Sequence, residues 1–276
     1  MMPLKNNVTI ITGASTGIGE ELAYQLTDQG AILVLTARRV TELERVAENV
    51  RAKGANGTKV IVVSADVAVQ ADCKKIIDAA IAAFGRIDTL VLNAGMTMWA
   101  KFEDIADVEI ISHIMQVNYM GSVYCTHFAL PHLQASGGRI VGIASLTGLV
   151  GVPTRTGYAA SKHAMRGFFD SLRIELEDSS VSVTMIYPGF VATGIRENAT
   201  GADGKPALID PVDQSGVMSV AECTRQIVKA IRLRKREVVM TLKGKLGQWL
   251  KLLAPSVIDG IARRAVAGNK KFVEGK

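Results

Sequence analysis

The residues best suited to chemistry are a tyrosine and a lysine four positions apart, Tyr158 and Lys162. Residues at i and i+4 share one face of a helix, so the ammonium group can lie close to the phenol. A nearby cation favours the phenolate, which suits the phenol to act as a general acid or base at a carbonyl or alcohol oxygen. A surface tyrosine and lysine can match this spacing by chance. The position of the pair in the fold therefore decides whether the spacing indicates a catalytic site.

Other polar residues follow apolar stretches that read as strands. Ser145 comes directly after one such stretch, where its hydroxyl can donate to a substrate oxygen or only cap the turn. Asn93, Ala94 and Gly95 end another stretch, where a turn is the structural alternative. Asn118 lies at a break between two helical patterns, where it is either functional or a helix-end amide.

A glycine-rich segment near the N-terminus resembles a phosphate-binding turn. Between Thr12 and Gly19 the glycines fall as G-x-x-x-G-x-G, after a β-branched strand pattern and before a helical pattern. Glycine permits a tight turn and a close approach of the backbone to a pyrophosphate, and a helix N-terminus attracts the anion. We expect a dinucleotide at this turn, and an ordinary glycine turn is the alternative.

Strand and helix patterns alternate along the chain, which predicts an α/β fold with a doubly wound parallel sheet of the Rossmann type. The chain of 276 residues suits one such domain, which we place at 1–243, with a C-terminal amphipathic extension at 244–276. An irregular segment at about 190–220 is interpreted as a substrate lid. The predicted strands are 8–11, 31–36, 59–64, 89–92, 139–144, 181–187 and 237–241.

The composition fits a soluble globular protein, but its charge is unevenly placed. Residues 225–276 hold fourteen Lys/Arg and three Asp/Glu, a net charge of +11, and the remainder carries −5. The three cysteines and four histidines form no ligand pattern, so we expect no metal and a reducing compartment. Residues 1–7 lack a signal-peptide core and no apolar run could span a bilayer, so we expect a cytoplasmic protein.

Together, these features resemble the short-chain dehydrogenase/reductase family over nearly the whole chain, to about residue 240. The motifs that carry the resemblance are, in order, Thr12-Gly13-x-x-x-Gly17-x-Gly19, Asp66-Val67, Asn93-Ala94-Gly95, Asn118, Ser145, Tyr158-x-x-x-Lys162 and Pro188-Gly189.

The resemblance implies four catalytic residues. Tyr158 would exchange a proton with the reacting oxygen, and Lys162 would make the phenol more acidic and bind the nicotinamide ribose. Ser145 would orient the substrate oxygen, and Asn118 would hold a water in the proton relay. The implied cofactor-binding residues, in which Asp66 and Val67 flank adenine and Thr193 holds the carboxamide, are Gly13, Ser15, Thr16, Gly17, Ile18, Gly19, Arg38, Arg39, Asp66, Val67, Asn93, Ala94, Gly95, Tyr158, Lys162, Pro188, Gly189, Val191 and Thr193.

The end of the second predicted strand favours NADP(H) as the cofactor. NAD sites commonly place an acidic residue there, whereas this chain has Arg38 and Arg39. Two guanidinium groups can pair a 2′-phosphate, and Arg38 is the better candidate. The alternative is that both arginines only begin an exposed helix.

These observations predict an NADP(H)-dependent oxidoreductase that interconverts a ketone or aldehyde and its alcohol. Apolar residues at Met96, Met98, Trp99 and 146–152 indicate a hydrophobic substrate, although they also suit core packing. A smaller 3-oxoacyl substrate is one alternative, and a non-catalytic NADP(H)-binding sensor or scaffold is another. No recognised motif points to nucleic acid.

The C-terminal extension carries an apolar helical stripe, Leu246, Trp249, Leu250 and Leu253, among lysines. Three surfaces could cover this stripe: the body of the same subunit, a second subunit, or a membrane. The concentrated positive charge favours peripheral membrane contact, since two such tails would repel each other. We also expect a homo-oligomer, either a dimer or a tetramer.

Overall fold

The computed structural model describes residues 4–54, 58–195, 199–207 and 217–267. Seven parallel strands form one sheet in the order β3-β2-β1-β4-β5-β6-β7. The strand order reverses between β1 and β4, which creates the crevice where doubly wound folds bind ligands. The prediction of a doubly wound parallel sheet is therefore confirmed. The strands are β1 Val8–Thr12, β2 Ile32–Ala37, β3 Val60–Ser64, β4 Thr89–Leu92, β5 Arg139–Ile143, β6 Ser182–Tyr187 and β7 Glu237–Val239.

Helices cover both faces of the sheet, because the strands are apolar on both sides. In β1, Val8 and Ile10 pack with residues of α3, α5 and α6, whereas Ile11 packs with residues of α1, α2 and α7. Burial on both faces explains why the strands are continuous apolar runs. The helices are α1 Gly17–Thr27, α2 Val40–Lys53, α3 Gln70–Phe84, α4 Glu109–Met115, α5 Gly121–Ser136, α6 Thr156–Glu175, α7 Val220–Arg232, α8 Leu242–Leu253 and α9 Pro255–Ala267.

Two helices differ from the expectation. The break predicted at Asn118 is a π-helical turn, Gln116–Met120, that joins α4 to α5 without interrupting the helix. The helix expected from Gln226 begins earlier, at Val220, because the Ser219 hydroxyl accepts a hydrogen bond from the Glu222 N–H at 3.2 Å. Such a cap satisfies one of the open N–H groups of the first turn.

The described part of the expected lid contains short pairings rather than extended elements. Thr200 bridges to Met98 after β4, and Val191 bridges to Met218 before α7. Residues 196–198 and 208–216 of the expected lid lie outside the described residues. The division of the chain at residue 243 and the lid itself stay predictions.

The C-terminal extension forms two successive helices, α8 and α9. Among the described residues, none of the helices is long and apolar enough to cross a membrane. Within the same part of the chain, no group of three or more His, Cys, Asp or Glu side chains is arranged to hold a metal ion. Cys73, Cys125 and Cys223 are free and buried, as expected for small apolar side chains.

Candidate functional site

The glycine-rich turn between β1 and α1 has the backbone that close approach to a ligand requires. Gly13 and Gly17 have φ values of 65° and 60°, which residues other than glycine rarely adopt. A Cβ on Gly19 would collide with the carbonyl oxygen of Gly13. Ser15 is buried and Thr16 is exposed directly before the helix, so the N-terminus of α1 opens to solvent, where its N–H groups favour an anion.

Asn93 and Thr12 fasten this turn to β4. The Asn93 amide donates to the carbonyl oxygens of Thr12 and Gly13, at 2.9 and 3.1 Å. The Thr12 hydroxyl in turn accepts from the N–H groups of Asn93 and Ala94, at 2.9 and 3.0 Å. Asn93 and Ala94 therefore hold the turn in shape. The part played by the Thr12 hydroxyl was not foreseen, although its place at the head of the glycine motif was the available signal.

Arg38 and Arg39 lie exposed directly after β2, at the edge where a dinucleotide would extend from the glycine turn. The Arg38 guanidinium is 3.9 Å from the Asp66 carboxylate, and its side chain is mostly in solvent. Asp66 accepts from the Ala68 N–H at 3.0 Å, and Val67 is buried beside Gly121. The pairing of Arg38 is loose enough to leave its guanidinium accessible to a phosphate.

Tyr158 and Lys162 lie on α6, as their spacing predicts. The Lys162 ammonium is 5.8 Å from the centroid of the Tyr158 ring and donates to the Ile143 carbonyl oxygen at 2.9 Å. Lys162 is buried, whereas Tyr158 is partly exposed. Burial lowers the pKa of Lys162 to about 8, because desolvation disfavours the charged form.

Asn118 is fully buried in the π-helical turn. Its side chain accepts from the Met96 N–H at 2.8 Å and donates to the Met96 carbonyl oxygen at 3.0 Å and to the Ser161 hydroxyl at 2.9 Å. A Cβ on Gly95 would lie 3.1 Å from Asn118 Oδ1 and 3.6 Å from the Lys162 ammonium. The amide therefore holds the segment after β4 against α6, and the glycine permits this close approach.

Ser145 follows β5 and caps a short helical turn, because its hydroxyl oxygen accepts from the Thr147 N–H at 3.2 Å. Capping a turn is the structural role that the sequence left open for Ser145. The same hydroxyl can still donate its own hydrogen to a substrate oxygen, since its hydrogen is not used in the bond with the backbone N–H.

The segment after β6 turns back over the glycine-rich turn. The Pro188 carbonyl oxygen accepts from the Leu146 N–H at 3.0 Å, which ties the ends of β5 and β6 together. The Thr193 methyl lies 3.2 Å from the point that a Cβ on Gly17 would occupy. Val191 is buried, and Gly189 lies beside Leu146. The predicted cofactor residues of this segment therefore lie at the same edge of the sheet as the glycine turn.

The apolar residues expected to line a substrate pocket are partly core. Met98 and Trp99 are buried, so their packing role is the one observed, whereas Met96 is only half-buried. Trp99 contacts a residue that sequence reasoning missed: the Arg155 guanidinium lies 3.7 Å from the centroid of the indole ring.

Arg155 immediately precedes α6 and reaches two further rings. Its guanidinium carbon is 5.2 Å from the centroid of the Tyr158 ring and 5.6 Å from that of Phe190. The guanidinium therefore links the start of α6 to the segments after β4 and β6. The only signal in the sequence was an arginine three residues before the tyrosine.

Comparison with known proteins identifies the family of this chain. The profile of the family described as short chain dehydrogenase matches residues 7–203. An 11-beta-hydroxysteroid dehydrogenase-like 4A of Arabidopsis thaliana is 40% identical over 264 residues, which cover 95% of this chain and 85% of that protein. A dehydrogenase/reductase SDR family protein 7-like of Dictyostelium discoideum is 34% identical over 270 residues, covering 97% of this chain and 84% of that protein.

Solved structures show the same fold. A short-chain dehydrogenase/reductase from Burkholderia phymatum in complex with NAD has a TM-score of 0.82 and 25% identity, covering 93% of this chain and 96% of that one. An alcohol dehydrogenase from Thermococcus sibiricus complexed with 5-hydroxy-NADP has a TM-score of 0.72 and 26% identity, covering 84% and 94%. The chain belongs to the short-chain dehydrogenase/reductase family of oxidoreductases, which act on CH–OH groups with a nicotinamide cofactor.

Proposed function

We propose that this protein is an NADP(H)-dependent oxidoreductase that interconverts a hydrophobic ketone or aldehyde and its alcohol. The observation that carries the proposal is the buried Lys162 ammonium, 5.8 Å from the Tyr158 ring, on a helix that begins at the carboxyl edge of the sheet. The phenol there can give a proton to the substrate oxygen or take one from it. Ser145 donates a hydrogen bond to the same oxygen, and Asn118 fixes the register of the helix that carries the phenol.

The chain has the features that a nicotinamide dinucleotide needs. A side chain at Gly13 would collide with the Ala94 backbone and one at Gly19 with the Gly13 carbonyl oxygen, so the tight turn before α1 requires glycine. The N-terminus of α1 would then receive the pyrophosphate. When bound, the cofactor supplies or accepts the hydride. The remaining predicted contacts, from Asp66 and Val67 at the adenine to Val191 and Thr193 at the nicotinamide end, are part of this proposal.

A preference for NADP(H) over NAD(H) rests on Arg38 and Arg39. Both are exposed beyond β2, and no carboxylate occupies the end of that strand. Asp66 pairs only loosely with Arg38, so a 2′-phosphate can take its place. Fluorescence titration with NADPH and NADH measures the preference. Equal affinities of the wild type for NADPH and NADH would overturn the preference. Arg38→Gln should weaken the binding of NADPH without affecting the binding of NADH.

The proposed substrate is hydrophobic because the residues near Tyr158 are apolar. Met96 and Tyr158 pack together against Met98, Ala100 and Ile114. Relatives named as hydroxysteroid dehydrogenase-like fit a lipid or steroid ketone, and a 3-oxoacyl compound is the second candidate. NADPH oxidation across steroid, retinal, 3-oxoacyl, aromatic ketone and sugar substrates distinguishes these classes, and a preference for charged sugars would contradict the proposal.

The decisive variant is Tyr158→Phe, which removes only the phenolic oxygen. We expect turnover to fall by about a hundredfold or more while NADPH affinity stays within error, since general acid–base catalysis supplies a factor of that size. Full turnover in this variant would rule the mechanism out. If the wild type bound NADPH but oxidised it with no substrate class, the alternative of a non-catalytic sensor or scaffold would replace it.

The remaining parts of the proposal concern partners and location. We propose a small carbonyl or alcohol substrate, a homo-oligomeric state of two or four subunits, a cytoplasmic location and no nucleic-acid partner. Symmetric homo-oligomers are the commonest assemblies of soluble enzymes. Sedimentation velocity of the full chain tests the oligomeric state.

A further inference from the structure

Helix α8 turns its small residues towards the protein. A Cβ on Gly244 would lie 2.5 Å from the Leu146 side chain, and one on Gly247 would lie 3.6 Å from Ile258 of α9. On the same face, the Lys251 ammonium donates to the Leu149 carbonyl oxygen at 2.8 Å. The two glycines and the lysine therefore form the docking face of the helix.

The large apolar residues of α8 point the other way. Leu242, Leu246, Trp249 and Leu253 follow one another at helical spacing, and their exposed fractions are 82%, 67%, 67% and 83%. Of the stripe expected from the sequence, Leu250 alone is half-buried. The described body of the same subunit does not cover this stripe. An amphipathic helix of a soluble protein normally has the reverse orientation, with its apolar stripe on the core.

Helix α9 extends the surface. Ile258 is buried against α8, whereas Val257 and Ile261 are about half exposed. We call the exposed apolar residues of the two helices, Leu242, Leu246, Trp249, Leu252, Leu253, Val257 and Ile261, the C-terminal apolar surface. Contiguous exposed apolar surfaces of this kind mark sites of interaction.

The charges beside this surface are basic. Lys243 and Lys245 are exposed on α8, which contains no acidic residue, and Arg263 and Arg264 are exposed on α9, where Asp259 is the acidic residue. A leucine-rich stripe with a tryptophan and flanking lysines is the composition of helices that lie in a membrane interface. A second copy of the chain would bring the same positive charges together, which disfavours pairing through this surface.

We propose that the C-terminal apolar surface binds the interface of an anionic lipid bilayer. The contact places the membrane one helix away from the proposed active site, because the opposite face of α8 rests, through Gly244 and Lys251, on Leu146 and Leu149 after Ser145. A lipophilic ketone dissolved in the bilayer is then close to the site that reduces it. This last step rests on the proposed function, whereas the lipid contact does not.

The two tryptophans of the chain give a direct test, because Trp99 is 2% exposed and Trp249 is 67% exposed. Emission that shifts to the blue on addition of vesicles therefore reports Trp249. We expect the full chain to show this shift, and to sediment with vesicles, when phosphatidylcholine is mixed with phosphatidylglycerol. Lys243→Gln combined with Lys245→Gln should lower partitioning into the anionic vesicles about thirtyfold.

The sharpest variant pair is Leu246→Glu and Ile174→Glu. Leu246 and Ile174 are 67% and 68% exposed, on α8 and α6, so both changes add one charge at equal exposure. Leu246→Glu should lower vesicle partitioning about tenfold or more, since it removes one apolar side chain from the interface, and Ile174→Glu should not change it. Equal partitioning of the two variants would overturn the proposal. Loss of a dimer by Leu246→Glu in lipid-free buffer, with vesicle binding unchanged, would also overturn the proposal.

A second readout separates this inference from the proposed function. For a long-chain ketone dissolved in anionic vesicles, the apparent KM should rise several-fold in Leu246→Glu, whereas the KM for a water-soluble ketone should stay that of the wild type. If no ketone is reduced by any form of the protein, the proposed function fails while the vesicle-binding result still stands. Loss of activity on both ketones would instead show a damaged fold and contradict a role limited to the membrane.

Discussion

The side-chain amide of Asn118 donates a hydrogen bond to the hydroxyl of Ser161, 2.9 Å away. Ser161 in turn donates to the carbonyl oxygen of Tyr158 at 2.8 Å. The π-helical turn is thus tied to the turn of α6 that carries the tyrosine and Lys162. Single π-helical turns recur at functional sites, and here the turn places an amide in the core next to the proposed catalytic residues.

Replacement of Asn118 by leucine should therefore lower the stability of the folded protein. Asn118→Leu keeps the branched shape of the side chain but leaves the backbone N–H and C=O of Met96 without their partner. We expect the free energy of unfolding in urea to fall by about 2–3 kcal/mol, because buried polar groups lose their hydrogen bonds. Ser161→Ala, which breaks only the link to α6, should cost about 1 kcal/mol. Equal urea midpoints for the two variants would show that Asn118 does not organise this region.

Much of this site could be predicted from the sequence because it lies at strand ends. Parallel strands bring their carboxyl ends to one edge, so residues as distant as Gly13, Asn93 and Ser145 are placed together by the strand pattern alone. The helical spacing of Tyr158 and Lys162 is likewise a local property. These placements needed only periodicity and connectivity.

The unpredicted features depend on contacts between distant segments. The rings around Arg155 come from separate parts of the chain, and no local pattern places them together. The π-helical turn is set by the partners of Asn118 rather than by propensity. The spacing of apolar residues in α8 predicted an apolar stripe. The close contact of Gly244 with the Leu146 side chain decides which side of the helix meets the body.

The glycine turn predicts a contrast between two alanine substitutions. Gly19→Ala would force a Cβ against the Gly13 carbonyl oxygen and the Asn93 amide, so the turn must open. We expect NADPH affinity, measured by fluorescence titration, to fall about a hundredfold, with a lower melting temperature. Gly167→Ala on α6 is the control, because nothing lies within 4 Å of its Cβ. That change should stabilise the helix by roughly 0.5–1 kcal/mol and leave NADPH affinity unchanged. Tight NADPH binding by Gly19→Ala would contradict a nucleotide-binding site at this turn.

The position of Arg155 predicts a selective effect on substrate binding. The guanidinium contacts Trp99 on one segment and Phe190, at the start of the expected lid, on another. Arg155→Met should raise the KM for ketones about tenfold while the affinity for NADPH stays constant, since a desolvated cation–π contact contributes about 2 kcal/mol. Arg155→Lys keeps the charge and should recover part of the loss. If Arg155→Met lowers kcat and KM is unchanged, the arginine does not position the substrate side of the site.

The burial of Lys162 predicts a pH-dependent contribution to stability. Its pKa falls from the ordinary 10.5 to about 8 in the folded protein. Below pH 8 both states hold the proton and the folded state bears the full cost of burying the charge. Between pH 8 and 10.5 the unfolded chain binds more protons than the folded one, so the free energy of unfolding rises with pH. Over that window the gain is about 3 kcal/mol.

Urea unfolding of the protein without added nucleotide, repeated across this pH range, measures the effect. The difference between the wild type and Lys162→Met should move by about 3 kcal/mol in favour of the wild type as the pH rises, because the variant lacks the titrating group. Lys74→Met, at an exposed lysine of α3, controls for the loss of one positive charge. Parallel curves for the wild type and Lys162→Met would mean that Lys162 has the same pKa in the folded and the unfolded chain. The stability of the folded state would then be independent of the charge next to Tyr158.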